Sequence, residues 1–441
     1  MIKTMVNAWK IPDLRKKIIY TVFILFLFRL GCAIPVPFID ITGNGLVQDQ
    51  SGTFLNYLSM MTGDAFNYGR VFALGITPYI NSSIILQLLA VAIPALEKLS
   101  HDEEGRKKMA AITRYVTIAL AVLQGIAYYV YIWSQGNMLT TDKNEAAYTG
   151  FGAVFQGIVI VAVLTAGSAL VMWLGEQIND KGIGNGISLI LFAGIVSRIP
   201  TILWSLIQLV WVKGSWYWLL SPLALIALLA MIVYICWMDA GERRIPVQYA
   251  KRVVGRKMYG GQSSNIPIKV NMSGVLPVIF ASSILSVPPT IEMFLQNKIT
   301  ENGFWDKFFG IFQSTHWVYG IIYFLLIIFF AYFYASIQYN PVEMANNLSK
   351  NGGTIPGQRP GRPTAAYIKK IIDKIVLLGA LLLSVVAIFP ILFSQITTAV
   401  NYPVNVSIGG TSIIILVGVA LETVQQIESQ MMMRHYRGFL D

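Results

Sequence analysis

The sequence predicts an all-α protein that crosses a membrane ten times, and three observations carry that prediction. Hydrophobic residues fill 55% of the 441 positions and charged residues only 12%, about half the charge of an ordinary soluble domain. Apolar runs near the roughly 20 residues that cross a bilayer recur ten times along the chain. Lys and Arg are divided unevenly between alternate connections of those runs, the mark of a multi-pass protein with a preferred orientation. Mean hydropathy is +0.60.

The runs lie at 18–38, 72–94, 111–133, 151–174, 184–204, 217–237, 273–291, 317–337, 371–393 and 408–426. The first is too long for a cleaved signal peptide, contains Arg29 and precedes no small-residue cleavage site. With the N-terminus inside, and with Arg114 and Arg198 counted with the connections beside their runs, the connections on that side hold 25 of the 33 Lys and Arg residues and those on the other side six; Arg29 and Lys374 complete the count within runs. Both termini are therefore predicted to be cytoplasmic. The net charge of +11 is then largely a topology signal, attracted to anionic lipid. Cys32 and Cys236 lie inside runs and are expected as free thiols, with no disulfide and no metal site.

Polar groups inside the runs are uncharged and grouped. In "GITPYINSSIILQLL" (75–89), Ile76, Ile80, Ser83 and Gln87 share one side of a helix, flanked by Thr77 and Asn81. Such a stripe does not suit lipid, where an unpaired polar group is costly. "GIGNGISLILFAGIV" (182–196) repeats the theme, with Ile187 and Leu191 spaced by four. "SGVLPVIFASSILSVPP" (273–289) and "IGGTSIIILVGVALE" (408–422) are alike. Small residues let helices pack closely and explain many of the glycines and serines. A water-filled cavity with a narrow aliphatic waist explains the remaining amides and hydroxyls as well. The segment "SGTFLNYLSMMTGDAFNYG" (51–69) carries a helical pattern at Phe54, Leu55, Leu58 and Met61 and is too short and polar to span. It is read either as an external surface helix or as a helix folded back into the outer cavity.

Catalysis needs clustered reactive groups, and the sequence offers no such cluster. His101, His316 and His435 lie in loops or tails without metal-site or triad spacing, and no GxxxxGK[ST] phosphate loop is present. Catalytic residues, metal sites and cofactors are therefore not expected. A secondary transporter would fit glycine-broken helices, but Arg29 is the one ionisable side chain placed deep in a run, and snorkelling or capping a neighbouring backbone is its more natural role than holding a substrate. A passive channel fits better than a carrier, and a carrier better than an enzyme.

Two inside connections are longer than a helix link requires. In 238–270, "RIPVQYAKRVV" and "SNIPIKV" read as strands around the turn "GRKMYGGQ". Arg243, Arg244, Lys251, Arg252, Arg256 and Lys257 would project from that hairpin. "MANNLSKNGGTIPGQRPGRPT" (344–364) presents Arg359 and Arg362 on a Gly/Pro-constrained turn. Basic loops of this kind suit an acidic protein or RNA phosphates.

These stretches, together with "FALGITPYINSSIILQLL", "GVLPVIFASSI" and "IGGTSIIILVGVALETVQQIESQMMMRHYRGF", resemble the SecY family of bacterial protein-conducting channel subunits, in order and over essentially the whole chain. The resemblance implies two halves, 1–205 and 206–441, each of five spans, related by an inverted pseudo-two-fold axis around an hourglass pore. It implies a pore ring of Ile76, Ile80, Ile187, Leu191, Ile279 and Ile415, and a plug near 54–66 that includes Phe54, Leu55, Leu58 and Met61. It also implies a lateral gate between spans 2–3 and 7–8, where Asn81, Ser83, Gln124 and Ser282 are suited to a seam that parts. The long loops near 238–272 and 338–370 would bind the ATPase SecA or the ribosome, with Arg359 in the most sensitive position. SecE would clamp the halves and SecG attach peripherally. The implied activity is passage of unfolded secretory polypeptides with signal sequences across the bacterial plasma membrane and release of transmembrane segments into lipid, driven by SecA or the translating ribosome. Thr354 and Gln358 depart from the aliphatic residues common in relatives, and Leu191 and Arg437 are smaller departures.

Overall fold

The computed structural model describes residues 8–39, 59, 61–101, 103–134, 151–213, 217–249, 252–254, 257–259, 263–295, 303–312, 316–399 and 410–437. Helices stand on all ten predicted runs: α1 (Pro12–Gly31), α2 (Thr77–Ala92), the short α3 (Pro94–His101), α4 (Glu103–Ser134), α5 (Phe151–Lys181), α6 (Gly186–Lys213) and α7 (Tyr217–Ala240). After the first long loop come α8 (Leu276–Leu285), α9 (Val287–Leu295), α10 (Phe304–Gly310), α11 (Trp317–Gln338), α12 (Pro341–Lys350), α13 (Arg362–Ala399) and α14 (Gly410–Arg437). Among the described residues α4, α5, α11, α13 and α14 are each long and apolar enough to cross a bilayer, and α2, α6, α7 and the α8–α9 pair supply shorter apolar stretches. Rows of outward apolar side chains, such as Val22, Phe23 and Phe26 on α1 and Leu229, Val233 and Trp237 on α7, are a surface made for lipid, since water would not tolerate such continuous patches.

Local chemistry sets the helix ends, and several differ from the predicted runs. Pro12 opens α1 at a position where a missing N–H is harmless. The helix stops at Gly31, short of the predicted 38, because the chain turns there and Val36 N and Val71 N bond to Gly69 and Ile34 carbonyls. α2 begins at Thr77, not at 72, with Pro78 in its first turn and residues 62–76 forming turns apart from a bridge at Arg70. The predicted run at 273–291 is two helices. Pro288 and Pro289 cannot donate to the carbonyls of Ile284 and Leu285, and Ser286 sits at the break with its Oγ donating to the Ser283 carbonyl at 2.5 Å. The predicted division at 205 falls inside α6, which runs on to Lys213.

Two groups of helices result. On one side α2 packs on α4, α4 on α5, and α5 on α6 and α1; on the other α8 packs on α11, α11 on α13, and α13 on α14 and α7. The groups join where α6 meets both α7 and α14, and meet again at a second edge, where α2 touches α8 and α4 touches α9. Close approach is made possible by glycine. A Cβ on Gly186 would stand 2.0 Å from the Gly175 carbonyl oxygen, so α5 and α6 touch through their backbones at that point.

The two long loops form one sheet. β1 (Glu242–Tyr249) pairs antiparallel with β4 (Ser263–Lys269), and β5 (Gly353–Thr354) from the second loop adds to β1 through Gln248 and Tyr249. Within the first loop, β2 (Arg252–Val254) and β3 (Lys257–Tyr259) form their own small hairpin. The predicted first strand is thus divided in two, and the stretch read as a turn contains a strand. Ile245, Val247 and Ile268 bury the sheet's inner face against Leu348, Ile368 and Ile372 of α12 and α13. That shared core makes the two loops one body.

Candidate functional site

The largest hydrophobic cluster draws together side chains from both helix groups, and the predicted ring lies within it. Ile76, Ile80, Leu191, Ile279 and Ile415 are buried members, and Ile187 packs against them half-buried. Ile76 precedes the first turn of α2 and Ile80 follows one turn later; Ile187 and Leu191 hold the equivalent spacing on α6, while α8 and α14 supply Ile279 and Ile415. Each of these helices is located locally. Asn185 caps α6, its Oδ1 accepting from Ile187 N at 3.1 Å, and Asn179 Oδ1 accepts from Gly186 N at 2.7 Å. The Asn185 amide of the "GIGN" stretch, with Asn179 just before it, therefore builds a helix start, a structural task that the pattern of polar residues did not distinguish from a cavity lining for Asn185. Ser168 Oγ donates to the Gly75 carbonyl at 3.3 Å and steadies the entry to α2.

Met61 belongs to the same cluster. Of the other predicted plug residues, Phe54, Leu55 and Leu58 lie outside the described residues. The segment from 61 to 66 is seated by contacts to three helices. Arg29 Nη1 of α1 donates to the Gly63 carbonyl at 3.0 Å, the backbone-capping role expected of this arginine. Asp64 faces Arg198 of α6 at 3.1 Å. Tyr128 of α4 donates its hydroxyl to the Phe66 carbonyl at 2.5 Å and tilts its ring against Phe66 at 4.7 Å. Gly194 of α6 is required here, since a Cβ on it would stand 2.3 Å from the Met61 carbonyl oxygen. Sequence reading singled out neither Asp64, Tyr128, Gly194 nor Arg198, because nothing local in the chain joins residues 64 and 198.

The predicted gate residues lie at and beside the α2–α8 and α4–α9 edge. Asn81 and Ser83 are half-buried on α2, Gln124 half-buried on α4, and Ser282 buried on α8. The Asn81 Oδ1 is a buried acceptor without a partner, an arrangement native interiors seldom keep unless it serves a purpose. Gln87 Nε2 donates to Ser83 Oγ at 3.3 Å, and Ser282 Oγ to the Ile279 carbonyl at 2.9 Å. Ser82, by contrast, is engaged within one group through a 2.6 Å contact to Thr117 Oγ1 of α4.

At the sheet, Arg243 and Arg244 are exposed on β1, and Arg244 pairs with Glu242 at 2.5 Å. Arg252 and Lys257 open β2 and β3; Lys251 and Arg256 lie outside the described residues. Arg359 is exposed in the turn after β5. Gly357 and Gly361 flank it with φ of 82° and 94°, values that favour glycine. Thr364 Oγ1 donates to the Arg359 carbonyl at 2.7 Å, so the backbone is held while the guanidinium is presented.

The chain's relatives share this architecture. A family model described as SecY matches residues 70–424. The chain is 42% identical over 450 residues to a protein translocase subunit SecY of Mycobacterium tuberculosis, covering all of both sequences. It is 41% identical to that of Corynebacterium glutamicum, covering 99% of each. Among solved structures it is similar to one described as a protein-conducting channel, with a TM-score of 0.62, 18% identity and coverage of 94% of this chain and 92% of the other. It is similar also to Sec61 in the canine ribosome–channel complex, with a TM-score of 0.61, 17% identity and the same coverage. An aliphatic cluster held between two helix groups, a sheet built from two basic loops and full-length identity above two-fifths converge on one assignment: this chain belongs to the SecY family.

Proposed function

We propose that this protein is the central channel of a bacterial plasma-membrane translocase, with both termini cytoplasmic. It passes unfolded secretory polypeptides across the membrane and releases transmembrane segments sideways into lipid. It carries out no chemistry of its own. The observation that supports this most is the burial of Ile76, Ile80, Leu191, Ile279 and Ile415 in one cluster with Met61. Aliphatic side chains from four helices, closed by a residue of the segment beside them, make a waist that is dry at rest and offers no polar site to hold a passing chain. On this reading 54–66 is the plug, and the α2–α8 and α4–α9 edge is the lateral gate.

The two-loop sheet is the docking platform for SecA or a translating ribosome, each presenting acidic groups or phosphates to Arg243, Arg244, Lys251, Arg252, Arg256, Lys257 and Arg359. SecE clamps the two helix groups, and SecG binds at the periphery. The halves are the groups α1–α6 and α7–α14.

Replacing ring residues tests the waist. Ile80→Asn or Ile279→Asn buries an amide without a partner only while the ring is closed, at about 1–3 kcal/mol. The closed-to-open ratio falls by about 5- to 150-fold, and substrates with defective signal sequences are exported faster in a reconstituted transport assay. Unchanged rejection of those substrates by both variants removes these positions from the ring.

A further inference from the structure

One face of α6 carries two things in succession. Ile187 and Leu191 point into the aliphatic cluster, and the next turns on that face bring Gly194 under the Met61 carbonyl and Arg198 to Asp64, following helical spacing. Asp64 has φ of 70°, a left-handed backbone that a side-chain-bearing residue keeps only where its surroundings hold it. Both of its oxygens are engaged: Oδ1 accepts from Ser59 Oγ at 3.0 Å, and Oδ2 lies 3.1 Å from Arg198 Nε. Arg198 Nε and Nη1 are buried and make no aligned hydrogen bond. The Asp64 carboxylate is therefore the counter-charge to a guanidinium that is only 20% exposed. Such a contact is largely Coulombic and weakens steadily as the segment moves away and water enters between the charges.

We propose that the Asp64–Arg198 pair is a charge latch that sets how strong a signal sequence must be to open this channel. The inference rests on the plug reading of 54–66 and adds to it the residues that determine selectivity. Moving the segment off α6 separates the pair and leaves Arg198 without its counter-charge. A strong signal helix supplies enough apolar burial to offset that loss, and a weak one does not. Arg29 fastens the adjoining Gly63 carbonyl, a neutral acceptor, so the charge-dependent part of the threshold resides in Asp64 and Arg198.

The test is a double-mutant cycle in the complete translocase reconstituted in vesicles, reading import of a substrate with a weakened signal against one with an intact signal. Asp64→Gly removes the charge and suits the left-handed backbone, so the fold is not weakened. Asp64→Gly and Arg198→Gln each raise import of the weak-signal substrate by about fivefold, the upper end for a partly exposed pair. The double variant rises no further, and Arg198→Lys stays near the parent. Import of the intact-signal substrate changes little in all of them. Additive effects in the double variant, or no effect in either single variant, overturn the latch. A chain lacking 54–66 separates this from the underlying reading: if deletion relaxes selection while the point variants do not, the latch is wrong and the plug stands. If deletion also leaves selection unchanged, the plug reading falls with it.

Discussion

Oxidising cysteines placed at Ser83 and Ser282, or at near neighbours on α2 and α8, abolishes both secretion and membrane insertion, and reduction restores both. On the proposed gate reading the effect is complete, because a signal helix then leaves sideways between α2–α4 and α8–α9, the edge where the two helix groups touch. Its apolar surface supplies the drive, at about 25 cal/mol per Å² removed from water, and no covalent bond yields to that. The seam must otherwise part easily. Half-buried Asn81, Ser83 and Gln124, with the unpartnered Asn81 Oδ1, suit a surface whose contacts are weak when closed and better hydrated when open. A bridge requires Cα atoms about 5.5 Å apart, so a small set of pairs is tried, in a background with Cys32 and Cys236, both free thiols, replaced by serine. Normal transport by a fully cross-linked protein places the exit elsewhere.

Arg359→Glu stops motor-driven translocation while the membrane fold persists. The side chain is exposed and the turn that carries it is held by Thr364 and by two glycines in left-handed conformation, so the backbone has no reason to change. Reversing the charge sets like charges against the acidic partner proposed for this platform at a cost of several kcal/mol, which on that reading lowers SecA-dependent import by about a hundredfold or more. Neighbouring Lys350, Arg362, Lys369 and Lys370 keep the topology signal, so insertion and orientation stay as they were. Import at the parent rate by a well-folded Arg359→Glu protein refutes the docking role.

Much of the architecture is legible because a membrane turns composition into geometry. Apolar runs near bilayer length mark the helices, and all ten carry one. Aliphatic pairs four apart, Ile76 with Ile80 and Ile187 with Leu191, announce a shared helical face, and all four belong to or pack against the same large cluster. Helix ends are less legible, because they answer to distant backbone partners: Gly69 and Ile34 end α1, and a serine followed by two prolines divides the seventh span. Strand pairing between loops about a hundred residues apart, as in Gln248 with Thr354, has no local signal at all. The same holds for the seat of the 61–66 segment. Asp64 lies unremarked within the expected plug segment and Arg198 counts only as an outside charge, and only the fold brings them to 3.1 Å. Polar residues mislead where they serve the backbone, as Asn185 does at the start of α6.

The central claim is that a polypeptide passes through the ring of six aliphatic side chains, and contact with a chain in transit tests it most directly. Single cysteines are placed at Ile80, Ile187, Ile279 and Ile415, with Cys32 and Cys236 removed, and a secretory polypeptide carrying one cysteine is halted midway by a folded domain at its end. All four positions form disulfides with the halted chain, each peaking at the same place along it, while a cysteine at lipid-facing Val233 forms none. Cross-links that favour Val233, or that are absent from two or more ring positions, contradict passage through this cluster.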